Sequence, residues 1–229
     1  MTNMNQNGRS MIEMLGVLAI IGVLSVGGIA GYSKAMLKYK TNKLIDGVTM
    51  LTTNIRTLYA QQKKFTGVDA AAGTAATDLI NLGVVPDEMI KTGNILKNPF
   101  AGTIVVDLDN SVPGKAGEDR AFIIGVNGIP KEACMAIATS DWGSNYSSGL
   151  IGMAVSKAST TNNTAADKLV TTISETAGEA GKIFAGTCLK LVSDGYAAYC
   201  AKDLPIPVSE ASAACNCSGS ECSVAIKYY

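Results

Sequence analysis

The chain has 229 residues, a formal net charge of zero and a mean hydropathy of +0.22. It contains no histidine, which excludes Ser-His-Asp and Cys-His catalysis and any His-based metal site. Six cysteines remain, Cys134, Cys188, Cys200, Cys215, Cys217 and Cys222; in an exported domain an even number reads as up to three disulfides, with pairings that spacing alone does not select.

Met1–Gly8 is a short polar stretch without charge. Arg9 and Glu13 follow, and Met14–Tyr32 then runs 19 residues with no charge and a single serine, Ser25. A bilayer core of roughly 30 Å needs about 20 apolar residues as helix, so this segment is long enough to span one. A secretory signal would carry a basic n-region and a small-residue cleavage site, and neither is present. An uncleaved anchor explains the apolar run but not Glu13, because a carboxylate at the rim of hydrocarbon calls for a partner. Gly16, Gly22, Gly27, Gly28 and Gly31 interrupt the run. They read either as ordinary membrane-helix glycines or, over Gly22–Gly31, as a stretch that unwinds locally when the helix leaves lipid for a packed assembly, and Gly27-x-x-x-Gly31 permits close helix approach.

From Ser33 to Gln62 the positions Leu37, Leu44, Ile45, Val48, Leu51, Ile55, Leu58 and Tyr59 recur at three and four residues. This predicts an amphipathic helix that continues the apolar one and offers its stripe to a sheet. Residues 34–64 carry a balance of +6 and residues 65–229 a balance of −6. The lysines read as a solvated face near lipid headgroups, or as a basic stem attracting the acidic head of a neighbouring copy. Lysines clustered after the span would, by the positive-inside rule, keep the C-terminal part in the cytoplasm; the cysteines argue for the opposite side. An acidic head also argues against non-specific nucleic-acid binding.

Phe65–Thr77 reads as loop, Thr77–Leu82 and Pro86–Ile90 as short helices, and Asn94–Phe100 as a connector. Thr103–Leu108 and Arg120–Val126 read as an antiparallel hairpin around a turn at Asp109–Asp119. Ile129–Thr139 reads as a helix carrying Cys134, Leu150–Val155 as a strand, and Ser156–Thr164 as loop. Ala165–Thr176 and Gly178–Leu191 read as helices. Cys222–Tyr228, with Val224, Ile226 and Tyr228 alternating, reads as a closing strand. Asp107/Asp109 and Glu118/Asp119 flank the expected turn as acids that calcium would suit, although turn acids are more often solvated. The spacing Cys215-x-Cys217-x₄-Cys222 is not that of a zinc ribbon, so no metal or other cofactor is expected.

The run Gly8-Arg9-Ser10-Met11-Ile12-Glu13, leading into an apolar helix, resembles the N-terminus of type IV prepilins. Asn98-Pro99-Phe100-Ala101-Gly102-Thr103, then Arg120–Gly128, then Pro130–Asp141 with Cys134, resemble the head domain of type IVb pilins, a group that includes the toxin-coregulated and conjugative thin-pilus kinds. The resemblance implies cleavage between Gly8 and Arg9, methylation of the new N-terminus, and pairing of Glu13 with the amine of the adjacent subunit. Such pairing is what a carboxylate in an apolar bundle requires. It also implies that the first cysteine of the head pairs near the C-terminus: Cys134–Cys215 or Cys134–Cys217, with Cys188–Cys200, and Cys222 joined to whichever is left.

The expected fold is therefore α+β: a long N-terminal transmembrane and amphipathic helix packed on an antiparallel sheet, stapled by disulfides. Its expected parts are a leader (1–8), a filament-core helix (9–33), the amphipathic half of that helix (34–64) and a head (65–229). The implied function is that of a pilus subunit without enzymatic activity. Its partners would be further copies of itself, membrane lipid, a prepilin peptidase/methylase, inner-membrane assembly machinery and an outer-membrane secretin. The implied location is the inner membrane with the head in the periplasm, then the extracellular pilus. A minor pilin or pseudopilin is the alternative within the class; an anchored extracytoplasmic binding domain that never polymerises is the alternative outside it.

Overall fold

The structure, a computed structural model, describes residues 11–61, 76–112, 115–143, 148–156, 191–193, 196–217 and 222–229. The chain divides into two compact units, the first ending at Tyr39 and the second running from Lys40 to Tyr229.

Helix α1 spans Met11–Tyr59 without interruption. Gly16, Gly22, Gly27, Gly28 and Gly31 all lie inside it in helical conformation. Within the second unit the expected stripe is the buried face. Leu44, Val48, Leu51, Ile55 and Tyr59 join one core with residues of the sheet, including Ile104, Val106, Phe122, Ile124, Val224 and Ile226. Gly47 belongs to this face because a Cβ there would strike the Met89 side chain, so glycine lets the 3₁₀ turn Asp87–Met89 lie against the helix. Lys43 and Glu88 pair at 2.9 Å beside it, and Asn54 Nδ2 donates to the Val84 carbonyl at 2.9 Å.

Helix α2 (Thr77–Asn81) is short. A two-stranded sheet follows, β1 (Ile90–Lys91) against β2 (Ile95–Leu96): Ile90, expected to end a helix, begins β1, and β2 lies where a plain connector was expected. Among the described residues the main sheet has six strands, all antiparallel. They are β3 (Ile104–Val112), β4 (Lys115–Ile129), β5 (Leu150–Ser156), β6 (Leu191–Ser193), β7 (Tyr196–Cys200) and β8 (Cys222–Tyr228), in the spatial order β3-β4-β8-β5-β7-β6. The latest strand in chain order thus sits in the middle, paired with β4 on one side and β5 on the other.

The hairpin corrects the expected turn at Asp109–Asp119. Register runs from Ile104↔Val126 to Val112↔Lys115, with one irregularity after Asp109, so ladder pairing carries both strands through the polar residues. Asp107, Asp109, Glu118 and Asp119 consequently lie within strands instead of flanking a loop. Ile129 ends β4, pairing with Cys222, and helix α3 (Lys131–Thr139) begins only after Pro130. Proline lacks the N–H that a first helical turn leaves unbonded, which suits this junction. Helix α4 (Val208–Ala214) follows Pro207 in the same way and packs beside α3.

All seven residues of β8 are buried. One face (Val224, Ile226, Tyr228) joins the helix-side core, and Phe122 stacks on Tyr228 with centroids 5.7 Å apart. The other face carries Ser223, Ala225 and Lys227, and its neighbours Val105, Ile123, Ala154 and Ala198 are buried as well. The strand is thus buried on both sides even though its sequence alternates between large apolar and small or polar residues. Leu191 begins a strand where the expected helix would have ended. The rest of the expected segments Phe65–Thr77, Ser156–Thr164, Ala165–Thr176 and Gly178–Leu191 falls almost wholly outside the described residues.

Candidate assembly module

Glu13 lies in the first turn of α1, where a carboxylate meets the partial positive charge of the helix N-terminus. It sits on a strongly apolar surface. From Met11 to Tyr32 thirteen large apolar side chains are 49–86% exposed, and the most apolar 18-residue window of the helix has none of its residues buried. Soluble monomers rarely leave such a surface uncovered. Removing those side chains from water is worth on the order of 20 kcal/mol at the usual transfer value per side chain. The helix therefore needs either lipid or other apolar helices around it. Its length and composition suffice to cross a membrane. Gly8 and Arg9 lie outside the described residues.

The head is held by a polar knot that sequence reading quoted without giving it a role. Asn98 is buried, and its side chain makes three hydrogen bonds. Oδ1 accepts from the N–H of Phe100 (2.8 Å) and of Gly102 (3.1 Å), and Nδ2 donates to the Asn127 carbonyl (2.7 Å). The backbone closes around it, with Asn98 N–H donating to the Gly102 carbonyl at 2.9 Å and Ala101 N–H to the Asn98 carbonyl at 3.0 Å. Asn127 carries the knot onward: its Oδ1 accepts from Ser223 Oγ (2.6 Å) and from the Gly128 N–H (2.9 Å). Gly102 is required because a Cβ there would land on the Asn127 carbonyl. The legible signal was Asn followed by Pro and, four residues on, Gly, a pattern that lets an Asn side chain bond the backbone just ahead of it. Outside the knot, Lys40 Nζ stands 5.8 Å from the Phe100 ring centroid, a cation–π distance.

A second anchor lies at the far end of β8. Arg56 Nη1 donates to the Ser148 carbonyl at 2.5 Å. Burial pushes the Tyr228 phenol far above its ordinary range, against smaller opposing pulls from the Arg56 guanidinium and a hydrogen bond with Thr52.

Cys134 on α3 is bonded to Cys215, which follows α4. The pair spans 81 residues with Cα atoms 5.8 Å apart, within disulfide geometry. Cys217 is bonded to Cys222 at the start of β8. Of the two pairings that the resemblance left open for Cys134, the structure has Cys215. Cys200 is disulfide-bonded too, and Cys188 lies outside the described residues. The sulfurs of Cys134, Cys217 and Cys222 are all within 4.8 Å of one another, and each is already engaged in a disulfide.

The sequence profile of the PilS N-terminal family matches residues 45–226, most of the chain and all the strands but the last residues of β8. The chain belongs to the PilS family of type IV pilins. The pilin is 29% identical over 143 residues to the major structural subunit of bundle-forming pilus of Escherichia coli O127:H6, a match over 61% of this chain and 67% of that protein. It is 27% identical over 137 residues to the toxin coregulated pilin of Vibrio cholerae serotype O1, over 59% of this chain and 58% of that one. Among solved structures, a type IV b pilin from Salmonella typhi aligns at a TM-score of 0.45 with 22% identity, covering 82% of this chain and 97% of its own.

Proposed function

We propose that this pilin is a structural subunit of a type IV pilus of the type IVb kind, assembled through its N-terminal helix after cleavage between Gly8 and Arg9. In this reading residues 1–8 are the leader, 9–33 the filament core, 34–64 the amphipathic half of the helix and 65–229 the head. A prepilin peptidase removes the leader and methylates Arg9. The helix holds the subunit in the inner membrane with the head in the periplasm, and assembly machinery and a secretin carry the polymer outward.

The observation that carries the reading is the exposed apolar helix with one carboxylate in its first turn, on a head of the pilin family. Lipid satisfies the apolar surface but not Glu13. A bundle of neighbouring helices satisfies both, if each Glu13 meets the methylated amine of the next subunit. The disulfides suit an oxidising compartment, which supports the periplasmic side against the lysine count. The name of the Escherichia coli relative, a major structural subunit, supports a main fibre component over a minor one.

Intact mass and N-terminal sequencing of protein from membranes and from sheared cell surfaces test the proposal. A sheared fraction beginning at methylated Arg9 is the expected result. Processed chain confined to membranes would assign a minor pilin or pseudopilin. A chain that keeps Met1–Gly8 in every fraction would overturn the reading and leave an anchored binding domain.

A further inference from the structure

We propose that Cys217 is a site of attack for external thiols, from which the two C-terminal disulfides exchange partners. Of the four sulfurs involved, those of Cys134, Cys215 and Cys222 belong to fully buried residues, while Cys217 is half-buried. An external thiolate therefore reaches Cys217 first. The ring it opens is also the weaker one: Cys217 and Cys222 are five residues apart, against 81 for Cys134 and Cys215, and the entropic constraint of a disulfide grows with its loop.

Attack on Cys217 forms a mixed disulfide there, breaks the Cys217–Cys222 bond and leaves Cys222 as a thiolate. That thiolate lies within 4.8 Å of the Cys134 sulfur, roughly one short side-chain movement from contact. It attacks Cys134; the Cys134–Cys222 bond forms, the Cys134–Cys215 bond breaks and Cys215 leaves as a thiolate. Cys215 then attacks the mixed disulfide at Cys217, forming Cys215–Cys217 and releasing the external thiol unchanged. The turn between them already folds Cys217 back: its N–H donates to the Cys215 carbonyl at 3.0 Å, and its sulfur is 3.3 Å from the same oxygen. Two disulfides exist before and after, no electrons are gained or lost, and a monothiol such as glutathione acts as catalyst.

The exchange alters the tether without releasing it. Moving the partner of Cys134 from Cys215 to Cys222 lengthens an 81-residue loop by only seven residues, while the second ring shortens from five residues to two, so the long loop itself discriminates little between the pairings. Strand β8 stays tied to α3 in both forms, and what changes is whether Cys215 or Cys222 holds Cys134.

The test treats the full-length protein in detergent with reduced glutathione, traps free thiols by alkylation after acid quench, and maps disulfides in non-reduced digests by mass spectrometry. Peptides joined through Cys134–Cys222, rising together with Cys215–Cys217, are the expected result. Glutathione or alkyl groups on Cys217 and Cys222 with Cys134–Cys215 intact throughout would overturn the proposal. Two variants need no added thiol. Cys217→Ser should give Cys134–Cys222 with Cys215 alkylated in part of the molecules, beside the Cys134–Cys215 form, and Cys222→Ser should likewise give a fraction with Cys134–Cys217 and Cys215 alkylated. Alkylation confined to the orphaned Cys222 or Cys217 in both variants would also overturn it.

Discussion

Asn98 gives the sharpest test of how the head is held. Replacing it with alanine removes three hydrogen bonds at a buried site and leaves two N–H groups and the Asn127 carbonyl to find new partners. At a net value of about 1 kcal/mol each, the loss is about 3 kcal/mol. For a head of this size that lowers the melting temperature by about 6–12 °C. Asn98→Asp separates geometry from polarity. The aspartate keeps an oxygen for the N–H groups of Phe100 and Gly102 but turns a second oxygen toward the Asn127 carbonyl, where an N–H donated at 2.7 Å before. An acceptor facing an acceptor should make the aspartate variant no more stable than alanine, although the substitution is nearly isosteric. Near-UV circular dichroism of the full-length variants in mild detergent follows the transition. A melting temperature within about 2 °C of wild type for Asn98→Ala, or full stability for Asn98→Asp, would show that the knot is not what fixes the β4–β8 junction.

Glu13→Ala should leave membrane insertion intact, since the apolar helix is unchanged, and should abolish sheared filaments; filaments at wild-type yield would remove Glu13 from assembly. The double variant Cys134→Ala/Cys215→Ala should lose about 4.5 kcal/mol in urea unfolding, from the loop-entropy value for 81 residues. The phenols of Tyr59, Tyr199 and Tyr228 are all raised by burial, so the folded chain holds protons that the unfolded chain releases. That stabilisation is complete below about pH 10 and is lost as pH rises beyond it. Urea midpoints should therefore fall above pH ~10, and Tyr228→Phe should make the fall shallower; an equal slope in the variant would place the alkaline sensitivity elsewhere.

The parts of the fold legible in the sequence were those with a long period. The stripe from Leu44 to Tyr59 repeats often enough to name both the helix and its buried face, and Cys222–Tyr228 alternates clearly enough to read as a strand. What stayed hidden was short or compositionally misleading. Ile90–Lys91 and Ile95–Leu96 are two-residue strands, too short to show a period. Tyr196–Cys200 is rich in alanine, which has weak strand preference, and is a strand because it pairs with β5. At Asp109–Asp119 the residues Asp, Asn and Gly argued for a turn, and non-local pairing overrode that local preference. The candidate assembly residue Glu13 stands out in the sequence by chemistry alone, as a carboxylate beside an uncharged span. The roles of Asn98, Asn127 and Ser223 were not legible, because their contacts join residues up to 96 positions apart.

Strand β8 closes the sheet from the middle. In the folded head β8 is the sole link in the ladder, among the described residues, between β3–β4 on one side and β5–β7–β6 on the other. The ladder cannot zip from one side to the other; it waits for a segment that comes after every other strand in the chain. A domain built this way stays slack until its final strand is delivered, because its decisive contacts are distant in sequence and slow to form. In the proposed function the head crosses a membrane before it folds, and there such a delay is an advantage: the head does not jam the passage by folding early.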